Sequence, residues 1–339
     1  MSKDKPSVFI LGRLRQEYLL THTGKSFPSH LGGPATYASC GACVWEADVH
    51  LVSRLWPAAF IEPRDVLFHQ GINTDAIREV ATYELDPVFF HQQPDGVILD
   101  HHPAKHYLSY QQRLPKHLIE YQSSTIGEDE TRQLTPATLQ PDDLGNLLFS
   151  DAAIHLAAGH YLTHATLPLQ LRERGGAMIT LEASPAYMNP SFQHEVRTLV
   201  QGLDAFITNE QSCRSYFRRE SLPLEEMVIT LGNMGAKHIV IQCDDQHKLL
   251  WDQAQQVMWS IPYYSSHQVS RIGAEHVFCG GFVAGLLLTG DPVEAALRGV
   301  VAESMACEGY GPWYATGAHP ELAPRRLGAL RGRVTKVRR

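Results

Sequence analysis

The segment from Val269 to Phe282 contains Gly273-Ala274-Glu275-His276, followed by a run of apolar and small residues. Small residues at a turn let backbone N–H groups approach a ligand, and a helix behind them adds the positive end of its dipole. That combination makes an anion-binding turn, and its centre carries two ionisable side chains. The imidazole of His276 has an ordinary pKa suited to proton transfer near neutral pH, so it can act as a general base. Glu275 puts a carboxylate at the mouth of the turn, where it repels phosphate and occupies the same donors.

Other groups of chemistry-bearing residues read differently. Asp100, His101, His102 and His106 form a dense polar cluster. Adjacent histidines on a strand point to opposite faces, so only part of the set could converge on one metal, and an exposed edge is the expectation. His160 and His164 share one helix face, but no Glu stands between them as a metalloprotease helix would need. They are expected to be satisfied by solvent or core. Cys40-Gly41-Ala42-Cys43 lies among Ala and Gly, which fits close helix packing better than zinc or redox work. No metal-ligating set is expected.

The elements that position these residues follow from the apolar pattern. Val8-Phe9-Ile10-Leu11-Gly12 reads as a buried first strand, a helix follows Gly32-Gly33-Pro34, and Asp48 to Val52 gives a second strand. Further strands are expected at 153–156, 177–181, 205–208 and 238–242, separated by helical stretches such as 167–174 and 224–231. This alternation implies a mostly parallel sheet with helices on both faces. Two stretches break the rhythm, about 13–30 and 80–110, and both read as added β-structure.

Composition narrows the function classes. The chain has 339 residues, 44% hydrophobic and 19% charged, with a net charge of −7, which argues against broad nucleic-acid binding. No apolar run reaches the length of a membrane span. Met1 to Pro6 is polar and lacks the apolar core of a signal peptide, and the six cysteines have no disulfide-like spacing, so a cytoplasmic location is expected. The basic segment at about 325–339, holding Arg325, Arg326, Arg331, Arg333, Lys336, Arg338 and Arg339, reads as a frayed, solvated tail or as a contact for an acidic partner.

The surroundings of the turn resemble the signature Asp-x-Thr-Gly-Ala-Gly-Asp-Ala-Phe-x-Gly-Gly-Phe of the ribokinase-like (PfkB) family of sugar and nucleoside kinases. Other landmarks occur in family order along nearly the whole chain. Gly32-Gly33-Pro34-Ala35-Thr36-Tyr37-Ala38 resembles the N-terminal Gly-Gly motif, and Gly71-Ile72-Asn73-Thr74 resembles the Gly-Val-x-Thr before the lid strands. Asn209-Glu210-Gln211-Ser212 resembles the Asn-x-x-Glu motif, and Thr230 to Ala236, with Gly232 and Gly235, resembles the Thr-x-Gly-x-x-Gly nucleotide loop. The resemblance implies one ribokinase-like α/β domain over 1–339, with a small β-sheet lid built from 13–30 and 80–110.

The resemblance also assigns roles. Glu17, Gly32, Gly33 and Tyr37 fall at substrate-binding positions, with Glu17 where the family has Asp and Tyr37 where it has Asn. Asn209, Thr230, Gly232, Gly235, Gly273 and Ala274 fall at nucleotide- or anion-binding positions. His276 replaces the family's catalytic Asp, Glu275 a Gly, and Ser212 the Glu that orders Mg²⁺. ATP and Mg²⁺ are the implied cofactors, bound weakly or not at all with these replacements, and a homodimer paired through the lids is the implied assembly. The expectation is a pseudokinase that binds a small sugar- or nucleoside-like ligand or serves as a regulatory or assembly subunit. The alternatives are an active ATP-dependent kinase using His276 as base, and a repurposed enzyme working in the old substrate pocket.

Overall fold

The computed structural model describes residues 7–55, 63–81, 87–123 and 132–337. The chain enters through β1 (Ser7–Leu11), β2 (Arg15–Leu20), β3 (Ser26–Gly32), α1 (Pro34–Cys43), β4 (Asp48–Leu55), α2 (Pro63–His69), β5 (Ile72–Asn73) and β6 (Ile77–Glu79). There follow β7 (Pro87–Gln92), β8 (Ile98–Leu99), α3 (Pro103–Ser109), β9 (Ala153–Leu156), α4 (Tyr161–Glu173), β10 (Met178–Glu182), α5 (Gln193–Val200), β11 (Ala205–Asn209) and α6 (Glu210–Tyr216). The last third contains α7 (Leu224–Gly232), β12 (His238–Gln242), β13 (Lys248–Asp252), β14 (Val257–Ile261), α8 (Ala274–Thr289), α9 (Pro292–Ala306), α10 (Leu322–Arg331) and β15 (Thr335–Lys336).

The large sheet runs β15-β14-β13-β12-β11-β10-β9-β1-β4-β5, with β6 also on β4. It is parallel from β12 to β5, and its β13, β14 and β15 end is antiparallel. Both faces are covered, as apolar runs such as Val8-Phe9-Ile10-Leu11 require. Val8 and Ile10 join one core with Phe278 and Phe282 of α8, while Phe9 and Leu11 join the other with Leu167 and Leu171 of α4.

Glycines set how closely α8 approaches its neighbours. A Cβ on Gly41 of α1 would lie 2.0 Å from Val277 O, and one on Gly280 would lie 1.7 Å from Ala38 O. These helices therefore touch backbone to backbone, which accounts for the small residues around Cys40 and Cys43. Among the described residues the six cysteines form no disulfide.

The two stretches that broke the rhythm share one small sheet, ordered β3-β2-β7-β8, which is the expected lid. Tyr83 and Leu85, part of the expected second lid segment, lie outside the described residues, and 103–109 is a helix rather than a strand. The outward face of the lid is covered by this chain itself. Tyr18, Leu20 and Phe89 pack with Tyr107 of α3 and with Leu118 in a separate apolar cluster.

The basic C-terminal segment is built into the fold instead of fraying. Arg326 is 7% exposed, donates to Ser304 Oγ at 3.0 Å and pairs with Glu308 at 2.7 Å. Arg331 pairs with Glu294 at 2.6 Å, and β15 extends the sheet beside β14. Arg338 and Arg339 lie outside the described residues. Among the described residues no helix is long and apolar enough to cross a membrane.

Candidate functional site

Parallel α/β sheets bind ligands beyond the carboxyl ends of their strands, where loops and helix N-termini converge. Here that edge faces the lid across a cleft of about 640 Å³, lined among others by Arg15, Phe90, Cys243, Asp244, Glu275 and His276. Gly273 caps α8 at φ 73°, and a Cβ there would meet the Tyr37 ring at 2.3 Å. The turn thus needs glycine twice over: for its left-handed backbone and for the ring pressed beneath it.

His276 does not stand alone. Its Nδ1 lies 2.8 and 2.9 Å from the two oxygens of Glu182, at the end of β10. Glu182 is 4% exposed. Burial alone would drive its carboxyl up, but the His276 ring beside it prevails and holds it below its ordinary value. The His276 imidazole moves the other way. Burial opposes its protonation, yet the attraction of Glu182 outweighs burial and raises its pKa. Such a carboxylate fixes the ring's orientation and leaves Nε2 as the face available to a reacting proton.

Glu275, beside it, accepts from Asn209 Nδ2 at 3.2 Å, and its backbone carbonyl accepts from Gln242 Nε2 at 3.1 Å. Asn209 in turn caps α6 by accepting from the Ser212 N–H at 2.9 Å. Asn209, Gly273, Ala274, Glu275 and His276 therefore converge as expected.

The substrate positions converge too, but on one another. Glu17 accepts from the Gly33 N–H at 2.8 Å and from the Tyr37 hydroxyl at 2.7 Å, with His30 Nε2 at 3.3 Å. Glu17 is 2% and Tyr37 1% exposed. Burial raises the carboxyl pKa of Glu17, but its His30, Tyr37 and Gly33 partners together lower it below the ordinary value. Gly32 has no space for a Cβ, which would fall 2.2 Å from the Glu17 carboxyl carbon. The acid at the expected substrate position is thus engaged by a tyrosine of this chain.

The expected nucleotide loop lies elsewhere. Thr230 and Gly232 belong to α7, and Gly235 sits in the turn that precedes β12. They are at the opening end of that strand, whereas Gln242 at its far end reaches Glu275. Their local roles are structural. Thr230 Oγ1 donates to Glu226 O, a Cβ on Gly232 would strike Trp251 at 2.5 Å, and Gly235 adopts φ 119°. The turn that does reach the cleft is the β12–β13 hairpin, through Cys243 and Asp244.

His160 and His164 are satisfied within the fold. His160 accepts from the Leu162 N–H at the start of α4, and His164 bonds Tyr187 Oη at 2.6 Å and Ala157 O at 3.0 Å. His106 packs against His91 in the lid. Glu182 is the residue beside His276 that sequence reasoning missed. It is far from His276 in the chain, and no spacing connects them.

No protein-family model matches this sequence, and no curated protein matches it. Solved structures do match in three dimensions. A ribokinase from Thermotoga maritima superposes with a TM-score of 0.65 at 16% identity, covering 95% of this chain and 99% of that one. The aminoimidazole riboside kinase of Salmonella enterica, complexed with aminoimidazole riboside and an ATP analogue, gives 0.67 at 14% identity over 95% and 99%. A fructokinase from Vibrio cholerae O395, in a fructose-, ADP- and calcium-bound form, gives 0.68 at 12% identity over the same shares. At such low identity the likeness carries the architecture alone: the chain has the ribokinase-like fold, a mostly parallel α/β sheet with a small β-lid.

Proposed function

We propose that this protein binds a small polar, sugar- or nucleoside-like ligand between lid and sheet and does not carry out efficient phosphotransfer from ATP. The observation that carries this reading is Glu275. Its carboxylate lines the cleft in the first turn of α8, tethered by Asn209, where a kinase of this architecture would receive phosphate. Like charges a few ångströms apart in a water-poor site repel by several kcal/mol.

Two further features support it. Ser212 stands where the resemblance calls for a magnesium-ordering Glu, and it is 5% exposed within α6. Glu17 is engaged by Tyr37 and the Gly33 N–H, so it has little capacity for a substrate hydroxyl. The residues present therefore fit a magnesium nucleotide poorly. Arg15 supplies the cleft with a cation that is 8% exposed and whose Nε has no hydrogen-bond partner among the described residues. It favours a ligand with an acceptor oxygen. Pairing of two lids into a homodimer gains no support from the outward lid face, which α3 covers.

A second reading rests on the Glu182–His276 pair. A buried carboxylate behind an imidazole equips His276 to take a proton from a ligand hydroxyl, which suits either a kinase with a substitute base or a repurposed enzyme. Calorimetry with Mg·ATP on the wild type and on Glu275→Gly tests the primary reading. It expects weak or absent binding that strengthens about 5- to 150-fold in the variant, corresponding to ~1–3 kcal/mol. Tight binding by the wild type, unchanged in Glu275→Gly, contradicts it.

A further inference from the structure

Beneath His276, β9, β10 and α8 bring together three side chains that bind metals. His155 and Thr180 stand opposite each other in the parallel β9–β10 pair, and Glu182 is two residues beyond Thr180 on the same face. Cys279 of α8 packs over them. One ligand atom from each of His155, Glu182 and Cys279 lies within 4.8 Å of the others. The three residues are 0%, 4% and 0% exposed, respectively.

The hydrogen bonds around His155 prepare it for a metal. With the Thr180 hydroxyl donating to Ile154 O at 3.3 Å, its oxygen can accept from His155 Nδ1 at 2.9 Å. The proton is then on Nδ1, and Nε2 carries a lone pair. That Nε2 is buried and has no hydrogen-bond partner among the described residues. An orphaned buried acceptor is destabilising, and a ligated cation would satisfy it. A second-sphere oxygen holding the other ring nitrogen is the usual support for a metal-bound histidine.

We propose that His155 Nε2, a Glu182 oxygen and Cys279 Sγ form a binding site for a Zn²⁺-class cation. Tetrahedral zinc with bonds of about 2.0–2.3 Å sets its ligand atoms roughly 3.3–3.8 Å apart, so the cluster needs to contract by about 1.5 Å at most. The mixed N, O and S donors favour a borderline-soft ion over Mg²⁺ or Ca²⁺, which take oxygen alone. Two anionic ligands, the carboxylate and the thiolate formed on binding, neutralise the dication in this buried place. A carboxylate has about four lone pairs, so Glu182 can bind the ion while keeping His276. Gln242 Nε2, 3.8 Å from Cys279 Sγ, offers the thiolate a donor. This site does not depend on whether a nucleotide enters the cleft.

The test uses the full-length protein, stripped with a chelator and titrated with Zn²⁺ and with Co²⁺. We expect one ion per chain, and with Co²⁺ a near-ultraviolet thiolate charge-transfer band together with visible bands of a tetrahedral ion. Cys279→Ala should abolish the charge-transfer band, and Cys279→Ala and His155→Gln should each weaken Zn²⁺ binding by roughly a hundredfold or more. Zinc should raise the unfolding temperature of the wild type but of neither variant, a readout that still serves if one variant folds poorly. A second set of donors, Cys243, Asp245 and His247, lies in the β12–β13 turn, which is more exposed. His247→Ala should leave the stoichiometry and the cobalt spectrum unchanged. The proposal is overturned if the wild type binds no stoichiometric ion, or if binding survives Cys279→Ala and is lost in His247→Ala.

Discussion

Tyr37→Phe removes one hydroxyl from the buried Glu17–Tyr37 contact and nothing else. In the wild type that hydroxyl donates at 2.7 Å to a carboxylate 2% exposed, alongside the Gly33 N–H. A hydrogen bond to a charged group is worth about 1.5–3 kcal/mol, and here the acceptor stays buried, so a loss of about 2 kcal/mol is expected. The pH dependence gives a second reading of the same contact. The folded pKa of Glu17 lies below its ordinary value of 4.5, so its stabilisation is present above that value and fades as pH falls through the folded pKa. Losing the Tyr37 donor moves the folded pKa back towards 4.5 and shrinks this contribution. The gap between wild type and variant should therefore be widest near neutral pH and should narrow below about pH 4. Urea unfolding at several pH values measures it, with the m-value unchanged. A difference below about 0.5 kcal/mol at neutral pH, or one that does not vary with pH, refutes the claim that Tyr37 and Glu17 complete each other.

Gly41→Ala should cost about 1–3 kcal/mol or more, because its Cβ would meet the Val277 carbonyl at 2.0 Å and only a shift of α1 against α8 relieves that. An unchanged melting temperature would show that the helices do not pack as described. Arg326→Met should lower stability by about 2 kcal/mol through its bonds to Ser304 and Glu308. Arg325→Ala, an exposed pair with Glu321, should stay within about 0.5 kcal/mol. Equal effects of the two changes would mean that the basic segment is a free tail after all.

Fold and site differed in how far the sequence disclosed them. Apolar runs such as Val8 to Leu11 and the alternation of strands with helices announced a covered parallel sheet, because burial on both faces leaves no polar residue to break the run. The lid was legible as two interruptions in that rhythm. Gly273 to His276 was legible because an anion turn needs small residues in a row. The segment Thr230 to Ala236 misled, since glycines that end a helix and fit against Trp251 read the same as glycines that admit a phosphate. The hairpin that does reach the cleft, Cys243 to His247, carries no glycine to mark it. Glu182, His155 and Cys279 left no signal because β9, β10 and α8 bring them together only on folding. The basic run at the C-terminus looked solvated by composition, whereas Arg326 finds Ser304 and Glu308 inside.

We propose a ribokinase-like frame without efficient phosphotransfer. It is tested most directly by measuring Mg·ATP-dependent phosphorylation of a panel of sugars and nucleosides by the wild type and by His276→Ala. The account predicts no turnover approaching the ordinary kinase range of about 1–100 s⁻¹ in either protein. Turnover within that range by the wild type, lost in His276→Ala, would contradict it and establish the Glu182–His276 pair as the working base of an active kinase.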